Sequence, residues 1–281
     1  MMSEMNHLDK LEAQSIFIFR EAFNKIDKMA MLWSFGKDSN VMIHLARKAF
    51  FGRIPFPLIH VDTELEMDEV YAFRDQYVKE WGIHFVSEVC PPIEETDDSL
   101  PWAARVAARK TLGLKNVISK NGYTGIVAGI RRDEEGTRAK ERYFSPRNKE
   151  SQWDVKDQPP EFWDQFMTDF EPGTHVRIHP LLHWTEFDVW NYIKRENIPV
   201  VPLYFAREYG EFEGRDFGGK LMRFRSLGEK GITWPLESAA ATIDEIIEEL
   251  RTTKISERSG RPMGADEDES SFERLRADGY M

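Results

Sequence analysis

The hydrophobic positions of the chain follow two spacings that alternate along the sequence. A helical spacing over residues 8–26 predicts an amphipathic helix, and the apolar run "MAMLW" at 29–33 has the length of a strand. From residue 42 to residue 50, apolar side chains again recur three and four positions apart, which predicts a second helix. The intervening segment "SFGKDS", at 34–39, therefore lies where a strand turns into a helix.

Three further apolar runs predict strands at 56–62, 83–89 and 125–129. Segments with helical spacing separate them, one over 68–82 and one around 102–119. Strands that alternate with helices are typical of an α/β protein with a parallel sheet and helices on both faces. Ligands of such sheets bind beyond the C-terminal ends of the strands, so we expect residues 34–39, Asp62, Arg131 and Arg132 to surround one crevice.

The last third of the chain has clearer signals for the ends of helices than the middle has. Thr185 and Asp188 predict a capping box for a helix that ends at Asn197, and a second capped helix is predicted to begin at Thr242. Residues 151–166 are predicted to be loop with a short helix, and the charged, glycine-rich stretch 208–220 a mobile loop. We therefore divide the chain into an α/β domain over 1–204 and a C-terminal extension over 205–281.

Composition narrows the class of protein. A chain of 281 residues that is 41% hydrophobic can bury a core, and a net charge of -11 disfavours a protein that coats nucleic acid or an anionic membrane. No apolar run approaches the roughly 18 residues of a membrane-spanning helix. The acidic N-terminal residues also differ from a secretory signal, so we expect a cytoplasmic protein. Cys90 is the only cysteine, which excludes intrachain disulfides and cysteine-held metal clusters built by one chain.

The turn at 34–39 has the composition of an anion cradle. Gly36 permits close approach of the backbone, the helix start offers unpaired N–H donors, and Ser34 and Ser39 add hydroxyls beside the charge of Lys37. The bland alternative is an ordinary helix start capped by Ser34 or Asp38. We prefer the cradle, because a mere cap needs no glycine and lysine pair.

Several arginines could complete such a site. Four of them follow the predicted strand at 125–129, where a guanidinium fork could bind a phosphate or sulfate, namely Arg131, Arg132, Arg138 and Arg142. Neighbouring glutamates could instead neutralise them in a solvated helix. This alternative applies least to Arg131 and Arg132, because they come first after the strand. Later arginines could close over the anion, contact a partner or lie in solvent, namely Arg223, Arg225, Arg258 and Arg261.

Other candidate residues have weaker signals. Asp62 could meet a ligand or the water shell of a magnesium ion, or it could cap the following turn. His175, His179 and His183 recur at four-residue spacing, but Pro180 interrupts any helix that would align them, so we predict no metal site there. The aromatic residues between Trp153 and Phe170 are predicted to pack rather than to stack on bases.

The motifs also resemble a known family. S-x-G-K-D-S after a strand is similar to the PP-motif of the adenine nucleotide α-hydrolase-like superfamily. Segments in the same order, among them "PFPLIHVDT", "RRDEEGTRAKER" and "SERSGR", resemble the small catalytic subunits of bacterial two-subunit sulfate adenylyltransferases. The resemblance runs from about residue 8 into the C-terminal tail, and the last two segments are more specific than the PP-motif.

The resemblance implies a reaction in which sulfate attacks the α-phosphorus of ATP and releases pyrophosphate. Lys37, Arg131 and Arg132 would act in catalysis, Mg²⁺ would be bound through the nucleotide phosphates, and a separate GTP-hydrolysing large subunit would drive the reaction. No nucleic-acid or membrane partner is expected. The residues that the resemblance implies for ATP binding are Ser34, Phe35, Gly36, Lys37, Asp38, Ser39 and Asp62.

Two departures leave the acceptor and the partner open. Where related chains carry D-T-x-x-K-F, this sequence has Asp62 to Met67 with Glu66 in place of the lysine, and the loop after "VPLY" is shorter. A paralogue with another acceptor and a non-catalytic ATP-binding subunit remain as alternatives. A reductase of adenylylated sulfate would need a cysteine near the C-terminus, and none follows Cys90. An RNA thiolase would need persulfide chemistry and a basic binding face, and the sequence meets neither expectation.

Overall fold

The main sheet of the computed structural model, which describes residues 5–134, 136–253 and Glu257, is six-stranded and mostly parallel. Its strands are β1 Met29–Leu32, β2 Leu58–Asp62, β3 Phe85–Val89, β4 Gly125–Val127, β5 Phe144–Arg147 and β6 His175–Ile178. Their spatial order is β3-β2-β1-β4-β6-β5, and all pairs are parallel except β5 with β6. The prediction of a parallel-sheet α/β fold is confirmed.

Six α-helices accompany the strands in the described part of the chain. They are α1 His7–Lys25, α2 Lys37–Ala49, α3 Asp68–Trp81, α4 Trp102–Asn121, α5 Glu186–Glu196 and α6 Ile243–Thr252. The capping box of Thr185 and Asp188 is present, and a second one links Thr242 with Glu245. Left-handed Gly82 and Gly122 end α3 and α4. None of the described helices combines the length and the hydrophobicity needed to span a membrane.

The core explains why the strands read as continuous apolar runs. Every position of β1, β2 and β4 is buried, as expected for strands covered on both faces of a parallel sheet. Val41, Leu45 and Ala46 of α2 pack into the same cluster of buried side chains. This packing fixes the start of α2 against the ends of β1 and β4.

The prediction of a mobile loop over 208–220 is wrong. Residues Arg207–Phe212 form strand β7 and Arg215–Arg223 form β8, which pairs with β9 Leu236–Glu237 in a second, antiparallel sheet. Glu213 and Gly214 both have positive φ, the pattern of a two-residue hairpin turn. The predicted division at residue 204 stays a prediction, and Tyr209 and Met222 belong to the same hydrophobic cluster as the central sheet.

The aromatic segment before β6 packs only in part. Trp153 is buried and Phe166 packs against the main cluster, as predicted, but Phe162 and Trp163 are exposed. The short helix expected over 151–166 is absent from these described residues, which contain turns and one isolated bridge instead. The packing prediction is therefore wrong for Phe162 and Trp163.

The close approach of α1 to β4 gives a test of the fold. A methyl group added at Gly125 would lie 2.7 Å from the Cγ2 atom of Ile26 and 3.2 Å from Ile178. We expect Gly125→Ala to lower the free energy of unfolding by about 1–3 kcal/mol, because both neighbours are packed in the core. Urea unfolding measures the change.

Gly210 on exposed β7 is the matched control, since an added methyl group there has no neighbour within 4 Å. Gly210→Ala should change the free energy of unfolding by less than about 0.5 kcal/mol. Equal effects of the two substitutions would contradict this packing of β4.

Candidate active site

The turn between β1 and α2 is built as a strained, buried loop. Phe35 has a φ of 60°, an unusual value for a residue other than glycine, and its ring lies 4.6 Å from the rings of both Trp33 and His60. Gly36 occupies the N-cap position of α2 and makes no side-chain cap, so neither Ser34 nor Asp38 caps this helix in the way the alternative expected. Such strain often marks a functional segment.

The start of α2 is held by side chains rather than by solvent. The backbone N–H of Lys37 donates to the hydroxyl oxygen of Tyr204 at 2.9 Å, and the hydroxyl of Ser39 donates to the Gly36 carbonyl at 2.9 Å. Ser34 and Ser39 hydroxyls lie 3.4 Å apart. The two serine hydroxyls and the Lys37 N–H therefore lie in one turn, where Tyr204 already accepts from the N–H. That this turn binds an anion stays a prediction.

Two buried cations face each other across this turn. Lys37 and Arg131 are both almost completely buried, and the carboxylate of Glu257 bridges them. Lys37 Nζ contacts Glu257 Oε1, and Arg131 Nη2 donates to Glu257 Oε2 at 2.6 Å. Arg131 also donates from Nη1 to Asp38 and, at 2.9 Å, from Nε to Asp133. A carboxylate thus lies between two of the cations that we predicted to bind an anion.

The charges of this bridge determine its protonation. Burial alone would raise the pKa of Glu257, but the positive charges of Lys37 and Arg131 outweigh it and hold the pKa well below the usual range. Burial opposes the charge of Arg131, yet Glu257 and the neighbouring acids raise the pKa of its guanidinium. Glu257 and Arg131 are therefore both charged at neutral pH.

A cavity of about 210 Å³ opens beside the bridge, at the C-terminal ends of β1, β2 and β4. Its lining includes apolar side chains, namely Leu32, Ile59, Val61, Leu114 and Ile130. It also includes charged side chains of both signs, namely Lys37, Lys110, Arg138, Asp38, Glu134, Glu229 and Glu257. A molecule that combines an apolar body with charged groups would suit this lining.

The remaining predicted arginines are divided among different places. Arg138 lines the cavity and pairs with Glu134 at 2.8 Å. This is the neutralisation by a neighbouring glutamate that the sequence left open as an alternative. Arg132 turns away from the cavity lining: its guanidinium contacts His183 and donates to the Glu141 carbonyl at 3.0 Å. Arg142 donates to the Lys140 carbonyl at 3.3 Å on the surface.

The later arginines mostly have structural contacts. Arg223 is buried and donates to Glu249 of α6 at 2.7 Å, and Arg225 donates to Glu186 of α5 at 2.7 Å. The carbonyl of Arg225 also accepts a 3.4 Å hydrogen bond from Lys37 Nζ. Arg258 and Arg261 lie outside the described residues.

Asp62 takes the capping role that the sequence left as an alternative. Its Oδ1 accepts from the backbone N–H of Glu64 and from the hydroxyl of Tyr71, both at 2.8 Å. Arg74 lies 3.5 Å from Oδ2. Asp62 is not among the residues that line the cavity, so the structure does not bring it together with the cradle.

Sequence reasoning missed several residues of the cavity, among them Glu257, His60 and Tyr204. His60 is buried in β2 and lines the cavity, and neither ring nitrogen has a hydrogen-bond partner among the described residues. Its Nε2 lies 3.8 Å from Glu66, the residue that departs from the family pattern. A histidine inside the apolar run "FPLIHVD" was the available signal. For Glu257, the segment "SERSGR" drew attention only to its arginines.

The histidines at 175 and 179 belong to a separate buried cluster with Glu141, Arg147 and Arg177. Burial and the nearby arginines lower the pKa of His175 to about 3. Burial likewise lowers the pKa of His179 to about 4, although Glu141 opposes the shift. Both rings are therefore neutral at pH 7 in the folded protein.

Comparison with known proteins places the chain in a family. A model of the phosphoadenosine phosphosulfate reductase domain matches residues 28–235. Sulfate adenylyltransferase subunit 2 of Ectopseudomonas mendocina is 41% identical over 307 aligned residues and is covered completely, as is this chain. The protein of the same name from Shewanella pealeana is 42% identical over 300 residues, with 99% of each chain covered. The chain therefore belongs to the phosphoadenosine phosphosulfate reductase domain family and to the family of sulfate adenylyltransferase subunit 2.

Solved structures share the fold at much lower identity. The crystal structure of FMN adenylyltransferase from Candida glabrata superposes with a TM-score of 0.53 at 16% identity, covering 99% of this chain and 86% of that one. A complex of that enzyme with FMN and the ATP analogue AMPCPP gives 0.52 at 16% identity, covering 100% and 86%. These neighbours support the architecture described above.

The neutral, buried histidines predict a pH dependence of stability. The pKa of an unfolded histidine is about 6.5, so between pH 6.5 and about 4 the unfolded chain binds protons that folded His175 and His179 exclude. Stability should therefore be complete above pH 6.5 and fall as the pH decreases. At pH 5, each ring should lower the free energy of unfolding by about 2 kcal/mol relative to pH 7. Urea unfolding at both pH values measures this loss.

His175→Gln should reduce that loss by about 2 kcal/mol, because the amide does not titrate. The control His84→Gln, at an exposed histidine, should leave the loss as in the parent protein. The same pH dependence in all three proteins would contradict an uncharged, buried His175.

Proposed function

We propose that this chain transfers the adenylyl group of ATP to sulfate and forms adenosine 5′-phosphosulfate. The observation that carries the proposal is the full-length identity of about 40% to curated proteins named sulfate adenylyltransferase subunit 2. The cavity supports it, since its lining joins apolar side chains with Lys37, Lys110 and Arg138 at the edge of a parallel sheet. In the reaction, a sulfate oxygen attacks the α-phosphorus, the bond to the β-phosphate oxygen breaks, and pyrophosphate leaves.

Glu257 indicates where the leaving phosphates would bind. Its carboxylate lies between Lys37 and Arg131, the place that a phosphate oxygen would take at the start of α2. Ser34 and Ser39 also line the cavity and add hydroxyl donors. Two anions cannot share this position, so nucleotide binding would displace Glu257 from the cations.

The adenosine and the sulfate would occupy the remaining parts of the cavity. The apolar side chains of the lining, among them Ile59, Val61 and Leu114, would receive the base, and the imidazole of His60 would offer it a hydrogen bond. Arg138, which lines the cavity, would position the sulfate dianion, and Arg131 would assist it from behind Glu257. Arg132 contacts His183 outside the cavity lining, so it would orient this segment rather than bind sulfate directly.

The protein's contribution to such a displacement would be position and charge rather than a covalent intermediate. Mg²⁺ would be bound through the nucleotide phosphates, and Asp38 offers a carboxylate oxygen in the cavity lining, the ligand type that Mg²⁺ prefers. The ion would neutralise phosphate charge. We further propose that a GTP-hydrolysing large subunit drives the formation of the high-energy product, and that the reaction takes place in the cytoplasm.

The direct test is pyrophosphate release from ATP, measured with sulfate and with a panel of other oxyanions, in the presence and absence of the GTPase. We expect sulfate to stimulate release. Lys37→Ala should lower the rate by about a hundredfold or more, because it removes a charge from the phosphate site. Lys48→Ala, at a partly exposed lysine outside the cavity, is the control.

The other outcomes separate the alternatives. Release with a different oxyanion would establish a paralogue, a possibility that Glu66 beside His60 keeps open. ATP binding without release for any acceptor would favour a regulatory subunit. Unchanged turnover in Lys37→Ala would contradict the assignment of the cradle.

The displacement of Glu257 makes a separate prediction. Glu257→Gln keeps the size of the side chain but removes the charge that competes with phosphate, so ATP should bind about tenfold more tightly or better, a difference of about 1.4 kcal/mol. Isothermal titration calorimetry measures the affinity. Glu248→Gln on exposed α6 is the control and should not change it. Weaker ATP binding in Glu257→Gln would show that Glu257 supports the nucleotide instead of competing with it.

A further inference from the structure

An exposed aromatic turn lies on the surface outside the cavity. Trp163 is 91% exposed, Phe162 63% and Met167 52%, and exposed Phe17 of α1 lies beside Phe166 of the same segment. We call these four exposed residues the Trp163 surface. Folded monomers seldom present several large apolar side chains together, and tryptophan is enriched among residues that dominate binding at interfaces.

The turn is built to hold its tryptophan outward. Trp163 and Asp164 have φ values of 51° and 56°, both in the left-handed region that favours glycine, and the Gln165 N–H donates to the Phe162 carbonyl at 2.9 Å. Aspartate tolerates this conformation, but a bulky residue such as Trp163 seldom adopts it. A strained backbone that presents an apolar side chain to solvent points to a function for that side chain.

The base of the turn is anchored in the protein. Phe166 packs its ring 6.2 Å from Phe17, 5.6 Å from Tyr143 and 5.0 Å from Phe144. Gln14 of α1 donates to Asp164 at 3.4 Å. The turn that carries the Trp163 surface is therefore packed against the rest of the protein, and the fold itself leaves Trp163 exposed.

The surrounding charges indicate the kind of partner. Residues 150–171 contain seven acidic residues and one basic residue, Lys156, and all the acids except Glu161 are exposed. We call these exposed acids the acidic frame of the Trp163 surface. This frame repels nucleic acid, an anionic membrane and a second copy of this acidic chain. The surface fits a protein with an apolar cleft for an indole ring and a basic rim.

We propose that the Trp163 surface is the docking site for the companion subunit of the enzyme. The inference rests on the proposed function, and the name subunit 2 of the relatives supports a companion chain. The surface is also continuous with the arginine segment: Phe166 packs on Tyr143, the Tyr143 hydroxyl contacts His183, and His183 contacts Arg132. A subunit docked on this surface would thus be connected to the segment that follows β4 by a chain of side chains in contact.

The test is binding of the full chain to the companion subunit of the same organism, measured by calorimetry. Trp163→Ala should weaken the complex by about thirtyfold or more, and raising the salt concentration should weaken the parent complex because the frame is acidic. Phe51→Ala is the matched control: Phe51 is 90% exposed but lies apart from this segment, with Arg20 over its ring at 5.2 Å, and its removal should leave the affinity unchanged.

Binding of ATP to each variant alone keeps this proposal separate from the proposed function. Trp163→Ala should bind ATP as the parent does. Unchanged affinity of Trp163→Ala for the companion subunit would overturn the proposal, as would failure of the companion subunit to bind a parent chain that binds ATP. Loss of self-association in Trp163→Ala, with companion binding intact, would also overturn it.

Discussion

The candidate site depends on one buried carboxylate held between two buried cations. Lys37 and Arg131 are taken out of water, and each needs an anionic partner at this position because an unpaired buried charge is very unfavourable. Glu257 is the partner that the two cations share. Breaking a buried pair by removing one member typically costs about 3–5 kcal/mol, so an incoming anion must replace Glu257 with contacts of similar quality. A triphosphate has the charge and the oxygens to do so.

The sheet brings the two cations together. Lys37 follows β1 and Arg131 follows β4, nearly a hundred residues later, and the two strands are parallel neighbours. Their C-terminal ends therefore open on the same edge, beside the start of α2. Phe35, in a left-handed conformation against Trp33 and His60, fixes the backbone of this turn. The fold thus brings Lys37 and Arg131 to one edge of the sheet.

The sequence predicted what depends on local pattern. Continuous apolar runs identified β1, β2 and β4, and the glycine and lysine at 36–37 marked the turn between β1 and α2, whose role as an anion cradle stays a prediction. Residues whose partners come from distant segments could not be predicted in this way. Asp62 caps a turn through Glu64 and Tyr71, and Arg132 contacts His183, because tertiary packing decides these pairs. Glu257 was missed because "SERSGR" has the composition of an exposed basic segment.

The central claim is that Glu257 occupies the position of a nucleotide phosphate. A crystal structure of the protein with a non-hydrolysable ATP analogue tests it most directly. We expect phosphate oxygens against Lys37 and Arg131, with Glu257 displaced from both. An analogue bound elsewhere, with Glu257 still bridging the two cations, would contradict it.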